Sequence, residues 1–163
     1  SRAVMEGGNV CVAANLNTQG QVAISGEVEG VEKAMILAKE AGAKRAVSLA
    51  VSGAFHSSLM EPAKEGLREK LEKIKFSDPD FPVVSNVTSE PVSEGAQAWE
   101  LLVEQLTSPV RWRASVEQMV KMGAERFLEL GPGSVLCGLN KRNARGIPCV
   151  SLGTPSDFDR LGG

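Results

Sequence analysis

The sequence predicts an α/β fold, and three observations carry that expectation. Short apolar, β-branched runs alternate with longer stretches in which apolar residues recur every three or four positions. The opening part reads strand, turn, strand, helix, strand, three-quarters of a split βαβ arrangement whose first strand and helix are absent. Towards the other end, Arg126–Leu130 reads as a strand that Gly131-Pro-Gly133 turns into a helix over Ser134–Asn143, followed by a last strand over Ile147–Leu152.

Taken in order, Asn9–Asn17 alternates as a strand and Gln21–Ser25 as a second, with Thr18-Gln-Gly20 as the turn between them. Glu27–Ala41 places Val31, Ala34, Met35 and Ala38 on one helical face, and Gly42 ends it. Lys44–Val51 is the next expected strand. Ser58–Lys75 carries Leu59, Ala63, Leu67, Leu71 and Ile74 at helical spacing, with Pro62 tolerated in the first turn. Asp78–Pro82 is a turn, Phe81–Val87 a short strand apolar enough for a parallel sheet, and Ser89–Glu94 a polar loop. Gly95–Leu106 turns Trp99, Leu102, Val103 and Leu106 inward and stops at Ser108-Pro109. Trp112–Met122 is a further helix closed by Gly123, and the residues from Thr154 on read as a frayed tail.

Composition narrows the functional classes. Hydrophobic residues make up 42% and charged ones 23% of 163 residues, the balance of an ordinary globular chain. A net charge of -2 with no long basic block argues against a nucleic-acid partner, and no apolar run is long enough for a membrane span. Ser1-Arg-Ala-Val-Met5 lacks the charged-then-apolar pattern of a secretory signal. Cys11, Cys137 and Cys149 fit no zinc spacing and are expected to be free thiols in a reducing compartment, a cytoplasm or equally an organelle matrix. No metal site is expected.

The chemistry centres on His56, the only histidine. It stands where an apolar run breaks into a turn and a helix begins, the edge at which open α/β sheets carry their reactive groups. Imidazole exchanges a proton near neutral pH, so the position suits a general base. A base needs a nucleophile, and no Gly-x-Ser-x-Gly elbow exists in the chain. Ser57 and Ser58 are too near in sequence, and Ser134 follows Gly131-Pro-Gly133 without the closing glycine in register.

Ala54-Phe55-His56-Ser57-Ser58-Leu59-Met60 resembles the histidine loop of malonyl-CoA:acyl-carrier-protein transacylases and of the acyltransferase domains of fatty-acid and polyketide synthases. Asn15–Gly26, Glu40–Arg45, Gln105–Trp112 and Glu129–Gly133 also resemble stretches of that family, in the same order and at similar spacing. The resemblance implies the C-terminal part of an acyltransferase fold. Residues 1–52 would be a partial ferredoxin-like small subdomain, and residues 53–163 part of an α/β-hydrolase-like large subdomain carrying the histidine. It implies ping-pong transfer of malonyl from malonyl-CoA to the phosphopantetheine thiol of acyl carrier protein, with no permanently bound cofactor. His56 would be the base, oriented by a backbone carbonyl near Gln105 rather than by a carboxylate. Asn15, Asn17 and Gln21 would line the acyl pocket, where amides hold oxygens without adding charge. Phe55 would exclude an α-methyl branch. The nucleophilic serine and the arginine that pairs with the malonyl carboxylate would lie in a missing N-terminal portion, leaving Arg111 and Arg113 as surface or partner-facing residues. Alternatives are a catalytically inactive fragment or binding piece, a hydrolase using Ser134 or Ser58, and a domain excised from a synthase.

Overall fold

A computed structural model describes residues 8–51 and 53–161 of the chain. Among these residues the architecture is a mixed α/β one in which helices alternate with three two-stranded sheets. Strands β1 (Cys11–Thr18) and β2 (Gln21–Gly26) form an antiparallel hairpin across Gln19-Gly20, as the turn composition predicts. Helix α1 (Val28–Glu40) packs on it, bringing Ala34 and Val31 against Cys11 and Ile24. The approach is close. A Cβ on Gly26 would collide with the Val10 carbonyl oxygen, so only glycine fits there. Gly42, at φ 92°, ends α1 by donating its N–H to the Lys39 carbonyl at 3.0 Å.

The expected strand over residues 44–51 does not form. Val47, Leu49 and Val51 are 54%, 63% and 70% exposed, and the Val51 N–H turns back to the Leu49 carbonyl. A strand needs a neighbour for its backbone groups. The outer edge of β1 is already used: the Leu16 N–H reaches the Val110 carbonyl at 2.8 Å, and the Val110 N–H reaches Ala14 O at 2.8 Å. The β-branched pattern is present without a partner to pair with.

A short 3₁₀ turn over Ser58–Met60 leads into α2 (Glu61–Leu71), which stops before Lys75. Ile74 keeps the helical spacing but lies exposed, and the last N–H groups of Lys73 and Ile74 close three residues back, on Lys70 and Leu71. The strand expected over Phe81–Val87 shrinks to β3 (Val83–Val84), paired antiparallel with β4 (Pro91–Val92) rather than placed in a parallel sheet. β4 thus arises inside the stretch expected to be loop. The cause is local: Ser89, at φ 64°, returns its N–H to Ser85 O, and Ser85 N–H meets Glu90 O.

Helix α3 (Gly95–Gln105) starts with its Gly95 N–H bound by the Asp78 carboxylate at 2.8 Å and buries Val103, whereas Leu102 is exposed rather than inward. Helix α4 (Trp112–Lys121) buries Val116. Strands β5 (Phe127–Leu130) and β6 (Cys149–Leu152) pair in parallel and flank α5 (Val135–Asn143). The C-terminal stretch is a 3₁₀ helix over Pro155–Leu161 instead of a frayed tail. Asp157 holds its entry by accepting from the Gly153 and Thr154 N–H groups at 3.0 and 2.8 Å.

Two of the three cysteines are not free thiols. Cys137 and Cys149 form a disulfide with Cα atoms 5.3 Å apart, because α5 packs back on β6 and sets them side by side. Cys11 is free and buried, and burial pushes its thiol up from the ordinary range. The chain exposes 10913 Å², against about 7,800 Å² for a folded monomer of its mass. Leu128 and Leu130 contribute to the excess: they stand exposed on a parallel pair of a kind normally covered on both faces. Among the described residues no helix is long and apolar enough to cross a membrane.

Candidate active site

The site is a histidine held by the end of a helix. His56 adopts φ 62°, a left-handed conformation that costs a residue with a Cβ about 1–2 kcal/mol. Its N–H donates to the Leu106 carbonyl at 3.1 Å, and its Nδ1 lies 3.1 Å from the Gln105 carbonyl oxygen. A carbonyl only accepts, so Nδ1 carries the proton and the Nε2 lone pair is left for chemistry. The Gln105 side-chain Nε2 is 3.4 Å from the same Nδ1 and 2.9 Å from the Ser108 carbonyl. Two N–H groups cannot share that contact, so the amide donates to Ser108 and the backbone carbonyl orients the ring.

The last carbonyls of a helix have no partner within the helix and carry its partial negative charge. At the end of α3 those groups, on Gln105 and Leu106, are turned onto His56. Ser57, immediately after the histidine, is 1% exposed. Its hydroxyl donates to Ala54 O at 2.6 Å and accepts the Leu59 N–H at 3.3 Å. Phe55, 49% exposed, lays its ring over Gly53, where a Cβ would meet the ring carbon Cε2 at 2.7 Å.

Of the residues singled out in the sequence, the fold brings together His56 and Gln105, and Phe55 precedes His56 in the chain. Asn15 and Asn17 lie on β1, which reaches this region through its bridge to Val110, close in sequence to Ser108. The Asn17 carbonyl accepts from Asn143 Nδ2 at 2.8 Å, tying β1 to α5. Gln21 is exposed at the start of β2. Among the described residues no hydrogen bond joins the side chains of these three to His56 or Gln105. Ser58 and Ser134 are likewise not bonded to the ring, and Arg113 is engaged with Glu117 at 2.7 Å. Leu106 and Ser57 escaped sequence reasoning as supports: a backbone carbonyl leaves no mark in residue identity, and a serine beside a turn is common.

A second cluster lies at the start of α5. The Glu129 carboxylate on β5 accepts from the Cys137 N–H at 2.9 Å, the Leu136 N–H at 3.0 Å and the Ser151 hydroxyl at 3.2 Å. The Cys137 N–H above all, with the Leu136 and Ser151 donors, holds this carboxyl below its ordinary range against the opposing effect of burial. Glu129 thereby caps the start of α5 from another element. Trp112 Nε1 adds a bond to Asn140 at 3.2 Å, so α4 and α5 are joined. Among the described residues no group of three His, Cys, Asp or Glu side chains could hold a metal.

A family model for the acyl transferase domain matches residues 3–154. The chain belongs to the acyl transferase domain family. It is 47% identical over 156 residues to the malonyl CoA-acyl carrier protein transacylase of Bacillus subtilis, a match that covers 96% of this chain and 49% of that protein. The solved acyl carrier protein S-malonyltransferase of Vibrio cholerae superposes with a TM-score of 0.92 at 40% identity, covering 98% of this chain and 53% of the other. A malonyl-transacylase solved in complex with its type II PKS acyl-carrier protein gives 0.90 at 42% identity, covering 99% and 53%. The chain therefore spans about half the length of the acyl transferases it matches.

Proposed function

We propose that this chain is the C-terminal portion of a malonyl-CoA:acyl-carrier-protein transacylase and supplies the histidine half of its active site. The observation that carries the proposal is the bond from His56 Nδ1 to the Gln105 carbonyl, which fixes the ring with Nε2 free. Carbonyls at the end of α3 take the place that a carboxylate holds in a Ser-His-Asp triad. A serine hydroxyl from an N-terminal portion gives its proton to Nε2 as its oxygen attacks the malonyl thioester carbon. The C–S bond breaks and the departing coenzyme A sulfur takes the proton back from Nε2. The phosphopantetheine thiol of acyl carrier protein then gives its proton to Nε2 and attacks the acyl-serine ester. The serine oxygen leaves with that proton, and malonyl is carried away as a new thioester. Nothing in these steps calls on a permanently bound cofactor or metal.

In this scheme Asn15, Asn17 and Gln21 line the acyl pocket, with their amides meeting carboxylate or thioester oxygens. Phe55 crowds the α-carbon and disfavours a methyl branch. Residues 1–52 form part of a ferredoxin-like small subdomain, and residues 53–163 the C-terminal part of an α/β-hydrolase-like large one. The excess exposed surface is consistent with a second portion of the polypeptide packing on this one.

Malonyl transfer from malonyl-CoA to acyl carrier protein, measured in a polypeptide restored to the length of its relatives, tests the proposal. His56→Ala should lower the rate by about 10²–10⁴-fold, and intact mass spectrometry should show no malonyl adduct on the 163-residue chain alone. A malonyl mass on the isolated chain, or full transfer by the His56 variant, would sink it.

A further inference from the structure

We propose that Ser57 is a positioning residue for His56, acting by locking its neighbour's backbone in the left-handed conformation; this rests on His56 being the base assigned above. The Ser57 hydroxyl is used twice, donating to the Ala54 carbonyl and accepting the Leu59 N–H, at 2.6 and 3.3 Å. Its two bonds therefore span the chain on both sides of His56, whose φ is 62°. A histidine without such constraint relaxes to negative φ, because its Cβ then escapes the neighbouring carbonyl. That relaxation turns the Cα–Cβ direction and carries Nδ1 away from the Gln105 carbonyl. The His56 N–H bond to Leu106 fixes only the front of the residue; Ser57 fixes the back. At 1% exposure no water competes for the hydroxyl, so both bonds persist.

A simpler role is open to Ser57, as the cap of the 3₁₀ turn Ser58–Met60. The two roles differ in what the imidazole does. Loss of a cap alone lowers stability and leaves the ring alone, whereas loss of a positioning residue changes which ring nitrogen carries the proton. His56 is the only histidine, so its ring gives one set of signals.

The experiment is a long-range ¹H–¹⁵N correlation on the ¹⁵N-histidine-labelled chain at alkaline pH, which reports the tautomer directly. Wild type should carry its proton on Nδ1. In Ser57→Ala the ratio of Nδ1–H to Nε2–H should fall by about fivefold or more, the equivalent of one net hydrogen bond, and Ser57→Thr, which keeps the hydroxyl, should recover it. A folded Ser57→Ala with an unchanged ratio overturns the proposal, even if its Tm falls. Should Ser57→Ala not fold, Ser57→Cys, of similar size and a weaker donor, is read the same way: a lowered ratio supports the proposal and an unchanged one overturns it. The tautomer is measured without acyl transfer, so failure of Ser57 to hold the ring is distinct from failure of His56 as the base, which the transfer assay reports.

Discussion

Reducing the Cys137–Cys149 disulfide should destabilise the chain by a calculable amount. The bridge closes a loop between residues 12 apart in sequence. On the chain-entropy account, a cross-link of that span stabilises by about 3 kcal/mol at 25 °C by restricting the unfolded ensemble. For a chain of this length that corresponds to a Tm lowered by roughly 6–12 °C. Thermal unfolding followed by circular dichroism, with and without a phosphine reductant, measures the shift. Cys137→Ser should match the reduced wild type and no longer respond to reductant. Alkylation under denaturing conditions without reduction should modify Cys11 alone, since it is the free cysteine. Three alkylated thiols in an unreduced sample, or a midpoint indifferent to reductant, would show that α5 and β6 are not stapled.

Gly26→Ala should cost about 1–3 kcal/mol, the range for overpacking, because its Cβ would collide with the Val10 carbonyl and backbone cannot step aside as a side chain can; a denaturation midpoint equal to wild type would contradict the close approach. Val116→Ala, at a fully buried position on α4, removes packed methyl groups and should cost about 2 kcal/mol, read from the same curves. Glu129 gives a pH dependence of known sign. Its folded carboxyl lies below its ordinary range, so its contribution is complete above the unfolded value of about 4.3 and is lost as pH falls through the lower folded value. The stability gap between wild type and Glu129→Gln should therefore narrow with acidification below about pH 4; a gap that widens there would reverse the assignment.

Much of the chain was legible from local pattern. The hairpin, α1 with its Gly42 terminator, α3, α4, and the strand-turn-helix-strand run from Phe127 to Leu152 follow from period, turn chemistry and helix stops, all of which act within a few residues. His56 stood out for the same reason: it is unique and sits at a break between patterns. Its orientation could not be read, because the Gln105 and Leu106 carbonyls are backbone groups delivered by a helix 49 residues away.

Residue identity by itself determined the hairpin turn, the helices α1, α3, α4 and α5, and which residue carries the basic nitrogen. Tertiary structure decided everything that depends on a partner. Val47, Leu49 and Val51 have strand composition, yet the edge of β1 is occupied by Val110 and they remain unpaired. Cys137 and Cys149 have no telling spacing, yet α5 and β6 set them side by side. Asp157 ordered a tail that composition left free. The physical reason is common to all three: propensity and capping are settled between near neighbours, whereas strand pairing, cross-linking and side-chain anchoring require a second group whose position only the folded chain provides.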